Sequence, residues 1–111
     1  MVYDYISAIL QIQNMLQSSQ SNIKSLTLPI IKRNGVQMTR VVFEEPEHLS
    51  TYEGTFTATP VTIVIPSGKI QRIKVWFVAE KQYLPLQIVM SFNSGDVIFN
   101  SRESFSIIDK Q

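Results

Sequence analysis

The sequence of 111 residues contains no cysteine and a single histidine. The missing cysteine excludes a disulfide framework, a thiolate metal site and a thiol nucleophile. A Ser-His-Asp triad would have to use His48, which lies in an acidic stretch of the chain. We interpret His48 as a solvated side chain. We therefore predict no catalytic residue and a protein that is not an enzyme.

Glycine is also scarce, and no glycine-rich phosphate loop exists. The four glycines, each in a turn context, are Gly35, Gly54, Gly68 and Gly95. Hard oxygen ligands are present in the cluster of Glu44, Glu45, Glu47 and Glu53 beside His48, but there is no Asp-rich calcium loop and no His-x-x-x-His pair. We expect neither a metal nor an organic cofactor.

Charged residues make up only 17% of the chain, and the formal net charge is +1. This balance argues against nucleic acid or anionic lipid as a partner, because domains that bind either are normally strongly basic. The charges are nevertheless uneven. The basic residues Lys24, Lys32, Arg33 and Arg40 have no acid between them, whereas the four glutamates follow within ten residues. We interpret the two groups as two solvated surfaces.

What the sequence does contain is a long uncharged segment, since no residue between Asp4 and Lys24 is charged. Apolar residues recur in it at spacings of four and three, which predicts a helix from about Val2 to Ser25. The stripe supplies our interface candidates, which are Tyr5, Ile9, Ile12, Leu16, Ile23 and Leu26. Two interpretations remain open: the stripe covers the rest of the domain, or it mediates anchoring and oligomerisation.

Glutamines interrupt this segment well before the roughly 20 apolar residues that cross a bilayer. Its first part, Val2 to Leu10, is more apolar than the remainder. We therefore expect membrane contact only through a spanning helix upstream of Val2.

After Leu26 the pattern changes to strands. Asn34-Gly35 is a strong hairpin signal between residues 26–33 and 36–43, and it predicts that Ile31 pairs with Met38. Pro29 lacks a backbone donor and should place its strand at a sheet edge. Residues 44–54 read as an acidic loop. Further strands are predicted at 55–59, 60–65, 70–78, 84–92, 97–100 and 104–108.

Seven or eight short strands at this spacing favour an antiparallel sandwich or barrel. The predicted fold is mainly β, an immunoglobulin-like antiparallel β-sandwich (residues 26–111) preceded by one long N-terminal α-helix (residues 1–25). In strand 70–78, Ile73, Val75 and Phe77 alternate with Arg72, Lys74 and Trp76, which predicts one buried and one exposed face. We expect Ile73, Val75 and Phe77 to be core residues, together with Ile88 and Met90. Trp76 is therefore either an exposed aromatic that binds a ligand or a partner, or a residue packed under the helix or a second sheet.

The segment from Val61 to Phe77 resembles the two-strand core of immunoglobulin-like surface domains, with its Ile-Pro-x-Gly turn at residues 65–68 followed by an alternating strand. Together with the leading helix, it resembles the soluble parts of archaeal type IV pilin-like proteins, in particular archaellum accessory proteins F and G. This resemblance implies a non-enzymatic role in a filament or its stator at the extracytoplasmic cell surface. The implied partners are further copies or paralogous subunits, or the surface layer.

Our first functional hypothesis is thus a structural interaction domain that self-associates or binds a surface layer. A viral structural protein is a second interpretation of the same composition. A third is a carbohydrate- or nucleic-acid-binding β module that uses Trp76 with Arg72 and Lys74, because an aromatic flanked by cations can stack on a sugar or a base.

Overall fold

The computed structural model describes residues 4–18, 24–33, 35–51, 54–100 and 107–109. It contains one helix, α1 (Tyr5–Gln17), eight strands and a short 3-10 helix at Ala79–Lys81. The strands are β1 (Ser25–Lys32), β2 (Gly35–Phe43), β3 (Glu47–Thr51), β4 (Gly54–Val64), β5 (Ile70–Val78), β6 (Leu84–Phe92), β7 (Gly95–Asn100) and β8 (Ile107–Asp109). The prediction of a mainly β chain with an N-terminal helix is confirmed.

Helix α1 begins at a capped end. The Asp4 carboxylate accepts a hydrogen bond of 2.7 Å from the Ser7 N–H, and this bond lowers the pKa of Asp4 below its ordinary value. The helix ends where the Ser18 N–H donates to the Asn14 carbonyl. The predicted end at Ser25 is wrong, because Ser25 is the first residue of β1 and Leu26 lies in that strand. Ile23, between the two elements, lies outside the described residues.

All strand pairs are antiparallel and the strand order is β1-β2-β4-β5-β6-β7, with β3 beside β4 and β8 beside β3. The eight described strands therefore join one sheet, whereas an immunoglobulin-like sandwich divides its strands between two. The predicted loop at residues 44–54 is wrong in its central part, since Glu47–Thr51 pairs with β4 as strand β3.

Strand β4 is continuous through Pro60, where the sequence predicted a break between two strands. On one side its residues 58–64 pair with β5, and on the other it pairs with β3 up to Ala58 and with β2 from Val61. Pro60 lies where the neighbour changes, so its missing N–H leaves no ladder bond unmade. Its carbonyl still accepts a bond of 2.9 Å from the Glu44 N–H.

The predicted hairpin is present and Pro29 is in an edge strand, as expected. Its register differs from the prediction, because Ile31 pairs with Val36 and Lys32 pairs with Gly35. The last pair before the turn is therefore Lys32 with Gly35 rather than Arg33 with Val36. The difference amounts to two residues of register, so each side chain keeps the face that was predicted for it.

The sheet is buried on both faces near its centre. The main core lies between α1 and the sheet, and the second core lies on the opposite face, because successive residues of β5 point to opposite sides. The buried residues of the main core are Ala8, Ile9, Ile12, Leu28, Ile30, Val41, Val61, Ile63, Ile65, Ile73, Val75 and Phe77. Those of the second core are Leu49, Ala58, Trp76, Val78 and Leu86.

The packing of α1 gives a first prediction. Ile12 is completely buried against the sheet, so Ile12→Ala should lower the free energy of unfolding by about 2 to 5 kcal/mol. Ile6 lies on the exposed side of the same helix, and Ile6→Ala should change it by at most about 0.5 kcal/mol. Urea denaturation followed by circular dichroism measures both. Equal, small effects would mean that α1 does not stabilise the sheet.

Candidate functional site

The predicted interface stripe of the helix packs against the chain's own sheet. Ile9 and Ile12 are buried in the main core, and Tyr5, Leu16 and Leu26 are partly buried beside it. The side-chain amides of Gln13 and Gln17 extend this docking, because both donate to the carbonyl of Gln82, at 3.1 and 2.9 Å. The buried stripe residues are therefore not available as an assembly surface in this structure.

Trp76 lies on the face of β5 opposite the helix and is only 5% exposed. Its ring packs in the second core, and its Nε1 donates to Glu47 Oε1 at 3.3 Å. The ammonium group of Lys74 lies 5.0 Å from the centre of the ring. These contacts place Trp76 in the interior and leave no open ring face on which a sugar or a base would stack. Its burial agrees with the second interpretation, but the expected cover by the helix is wrong, because Trp76 lies on the face opposite the helix.

A polar cluster borders Trp76 on the same face. Lys74 Nζ forms an ion pair of 3.4 Å with Glu44, and the Thr62 hydroxyl donates to the other oxygen of the same carboxylate at 2.6 Å. Both charged side chains remain about one third exposed, and ion pairs this open stabilise little. The ion pair and the hydrogen bond together fix the orientation of the Glu44 carboxylate beside Trp76.

Glu80 extends the β4–β5 ladder. Its two carboxylate oxygens accept the Thr57 N–H at 2.9 and 3.1 Å. Burial raises the pKa of Glu80, but the hydrogen bonds from Thr57 and the nearby His48 outweigh it, so the pKa is lowered. A carboxylate held ionised in this way ends a strand pair and is a poor general acid.

Among the described residues, no three His, Asp or Glu side chains are grouped closely enough to hold a metal ion. Glu53 of the predicted acidic cluster lies outside that part of the chain. In the same part of the chain, no helix combines the length and the apolar character needed to cross a membrane.

The most distinctive surface is the edge formed by strand β7. In the described part of the chain β7 pairs only with β6, so half of its backbone groups face outward. Three consecutive apolar residues lie on it, Val97, Ile98 and Phe99, and they are 44%, 57% and 50% exposed. Val97 and Phe99 point to the helix side of the sheet and Ile98 points to the other side.

Apart from the charge of Asp96 near its start, the edge of β7 lacks the features that protect other edge strands. The opposite edge, β1, carries Pro29 in its middle and Lys32 at its end, and both discourage pairing with another chain. Strand β7 contains no proline and no lysine, and its pairing with β6 is regular, without a bulge. Within the described residues, one edge is thus protected and the other is open.

A family model described as a protein of unknown function (DUF3108) matches residues 1–100. The chain belongs to this family. The family description gives no activity, so the match fixes ancestry and leaves the function to be argued from the residues. Neither a curated protein nor a solved structure matches the chain.

Sequence reasoning identified a strand at residues 97–100 but not its exposure. The signal was present in Val97-Ile98-Phe99, three apolar residues in a row directly after the Asn-Ser-Gly-Asp turn. A run of this kind is also typical of a central strand that is covered on both faces. Only the strand order, which places β7 at the end of the sheet, distinguishes the two cases.

Proposed function

We propose that this member of the DUF3108 family is a non-enzymatic structural and interaction domain that self-associates. In this proposal the edge of β7 pairs with β7 of a second copy and extends the sheet. The observation that carries it is the open edge of β7 with three consecutive exposed apolar side chains. Exposed, flat, hydrophobic edges are the usual templates for strand addition.

A second copy suits this edge because its own β7 presents the same side chains. In an antiparallel pair centred on Ile98, the two Ile98 side chains lie opposite each other and Val97 lies opposite Phe99. Cross-strand pairs of aromatic and β-branched residues stabilise a sheet by about 0.2 to 1 kcal/mol each. The only charged residue of β7, Asp96, then faces Asn100 and not a second carboxylate. The arrangement is isologous, as in most homodimers.

The predicted fold type, cell-surface role and partners belong to the same proposal. An immunoglobulin-like sandwich is the finer proposal for the fold; the all-antiparallel pairing supports it, and it requires the one hydrogen-bonded sheet to fold over into two layers that enclose a core. A filament or stator subunit at the extracytoplasmic cell surface, of the archaellum accessory type, is supported by the order of a leading helix and a β body. A partner in a surface layer, or a paralogous subunit, would use the same open edge.

Ile98→Lys tests the proposal. We expect the native chain to sediment as a dimer at micromolar concentration, and Ile98→Lys to sediment as a monomer, because a charge on an edge strand opposes pairing. Analytical ultracentrifugation over a tenfold range of concentration measures this. Since Ile98 is exposed, the variant should keep its circular dichroism spectrum.

Ile31→Lys is the matched control, because Ile31 is 55% exposed and lies on the protected edge strand β1. It should remain a dimer. A native chain that is monomeric throughout the concentration range would refute the proposal. Dissociation by both variants would show that β7 is not the interface.

A further inference from the structure

The fold separates the charges of the chain between two ends of the sheet, although the net charge is only +1. One end is formed by the β1–β2 hairpin, the β4–β5 turn and the β6–β7 turn. The topology collects there five cations from two separate parts of the chain, residues 32–40 and 69–72, and we call this group the basic end: Lys32, Arg33, Arg40, Lys69 and Arg72. Asp96, next to the β6–β7 turn, is an acidic side chain at that end.

The pairing shows how close these elements lie. Val64 of β4 pairs with Arg40 of β2 on one side and with Arg72 of β5 on the other. The two arginines are thus two strand spacings apart, about 9.5 Å. Lys32 Nζ donates to the carbonyl of Ser67 at 2.9 Å and ties the hairpin to the β4–β5 turn. The described glutamates lie towards the other end, in β3 and the segments flanking it and in the 3-10 helix.

An exposed apolar patch lies among the arginines of the basic end. It consists of Ile31, Val36, Met38 and Val64, all at least 40% exposed. Ile31 pairs with Val36, and Met38 is two residues from Arg40 on the same strand, so the four side chains share the face opposite the helix with both arginines. Arg40 and Arg72 are exposed and form no ion pair within the described residues. This face is therefore both apolar and cationic.

We infer that the basic end binds the surface of an anionic lipid bilayer. A bilayer offers negative charge over apolar chains, which complements a sheet face that carries apolar side chains among unpaired arginines. The face is an open sheet surface rather than a groove, so it provides the flat contact that a bilayer needs. An acidic protein segment would match the charge alone, and it is the competing outcome of the test.

Vesicles of phosphatidylcholine and phosphatidylglycerol in equal amounts test the inference, with pure phosphatidylcholine vesicles as the neutral comparison. The native chain should cosediment with the anionic vesicles only, and more weakly as salt is added. Each cation near an anionic surface is worth about a fivefold gain in partition. The double variant Arg40→Gln, Arg72→Gln should therefore bind about 30-fold more weakly.

The matched control is Lys24→Gln, Lys81→Gln, which removes the same amount of charge away from the basic end. It should change partition by less than about threefold. Met38→Gln tests the apolar contribution and should weaken binding to vesicles but not to soluble polyglutamate. All variants are compared by circular dichroism to establish that they are folded.

Three results would overturn the inference. The first is that the native chain fails to bind either kind of vesicle, and the second is that the two double variants lose binding equally. The third is that polyglutamate is bound as tightly as the vesicles and that Met38→Gln has no effect on vesicle binding. The last result would assign the basic end to an acidic protein partner. None of these results depends on whether β7 forms a dimer, which is measured separately.

Discussion

Replacing Phe77 with alanine should lower the free energy of unfolding by about 3 to 5 kcal/mol, which is a large part of the stability of a domain of this size. Phe77 is fully buried in β5, between β4 and β6, and it belongs to the main core under the helix. Its removal leaves a cavity that the backbone of a central strand cannot close, because the neighbouring strands hold it in register. Urea denaturation at fixed protein concentration measures the loss.

Phe99→Ala is the matched control, since it makes the same change at a residue that is half exposed on the edge strand β7. Phe99→Ala should lower the free energy of unfolding by less than about 1 kcal/mol. Fixed concentration matters here because self-association adds to apparent stability, and Phe99 lies in the proposed dimer interface. Similar losses for the two variants would contradict the assignment of Phe77 to the core.

The central strands were the most predictable part of the fold. The predicted bounds 70–78 and 84–92 match β5 and β6, because alternation and a long apolar run are both visible in the sequence. Ile73, Val75 and Phe77 are buried as predicted. Ile88 and Met90, which the sequence also places inside, are only partly buried, since they lie on the strand next to the edge strand β7.

The errors have physical causes that act beyond the local sequence. Residues 47–51 carry two charged or titratable side chains and look like a loop, but β4 offers a free edge there, and pairing satisfies the backbone of β3. The helix was predicted too long because its apolar spacing continues by chance into Leu26, a partly buried residue of strand β1. Pattern alone does not show that the chain changes conformation between Ser18 and Ser25.

The candidate sites were harder to predict than the fold. An apolar stripe on a helix and an apolar run in a strand indicate burial or binding equally well, and the strand order decides which applies. In this chain the order buries the helical stripe and exposes β7. The charge separation was partly visible, since the basic residues 24–40 precede the glutamates. The addition of Lys69 and Arg72 to the same end depends on the antiparallel pairing of β4 with β5.

Trp76→Ala distinguishes most directly between a core tryptophan and a binding tryptophan. It should lower the free energy of unfolding by about 3 to 5 kcal/mol. The side chain fills the second core between Leu49, Val78 and Leu86, so its loss opens a cavity on the face opposite the helix. It also leaves Glu47 without the indole donor at 3.3 Å. If the tryptophan were exposed to bind a ligand, its replacement by alanine would change the free energy of unfolding by at most about 0.5 kcal/mol.

Trp76→Phe separates the contribution of the buried ring from that of the hydrogen bond between the indole and Glu47. Phenylalanine keeps most of the buried ring but cannot donate to Glu47, so this variant should lose less than Trp76→Ala, about 1 to 2 kcal/mol. Denaturation curves of the two variants, read by circular dichroism because the only tryptophan is removed, give the comparison. A stable, fully folded Trp76→Ala protein would show that the second core does not depend on the indole. The binding interpretation of Trp76 would then regain its basis, because a side chain that packing does not require is free to serve a ligand.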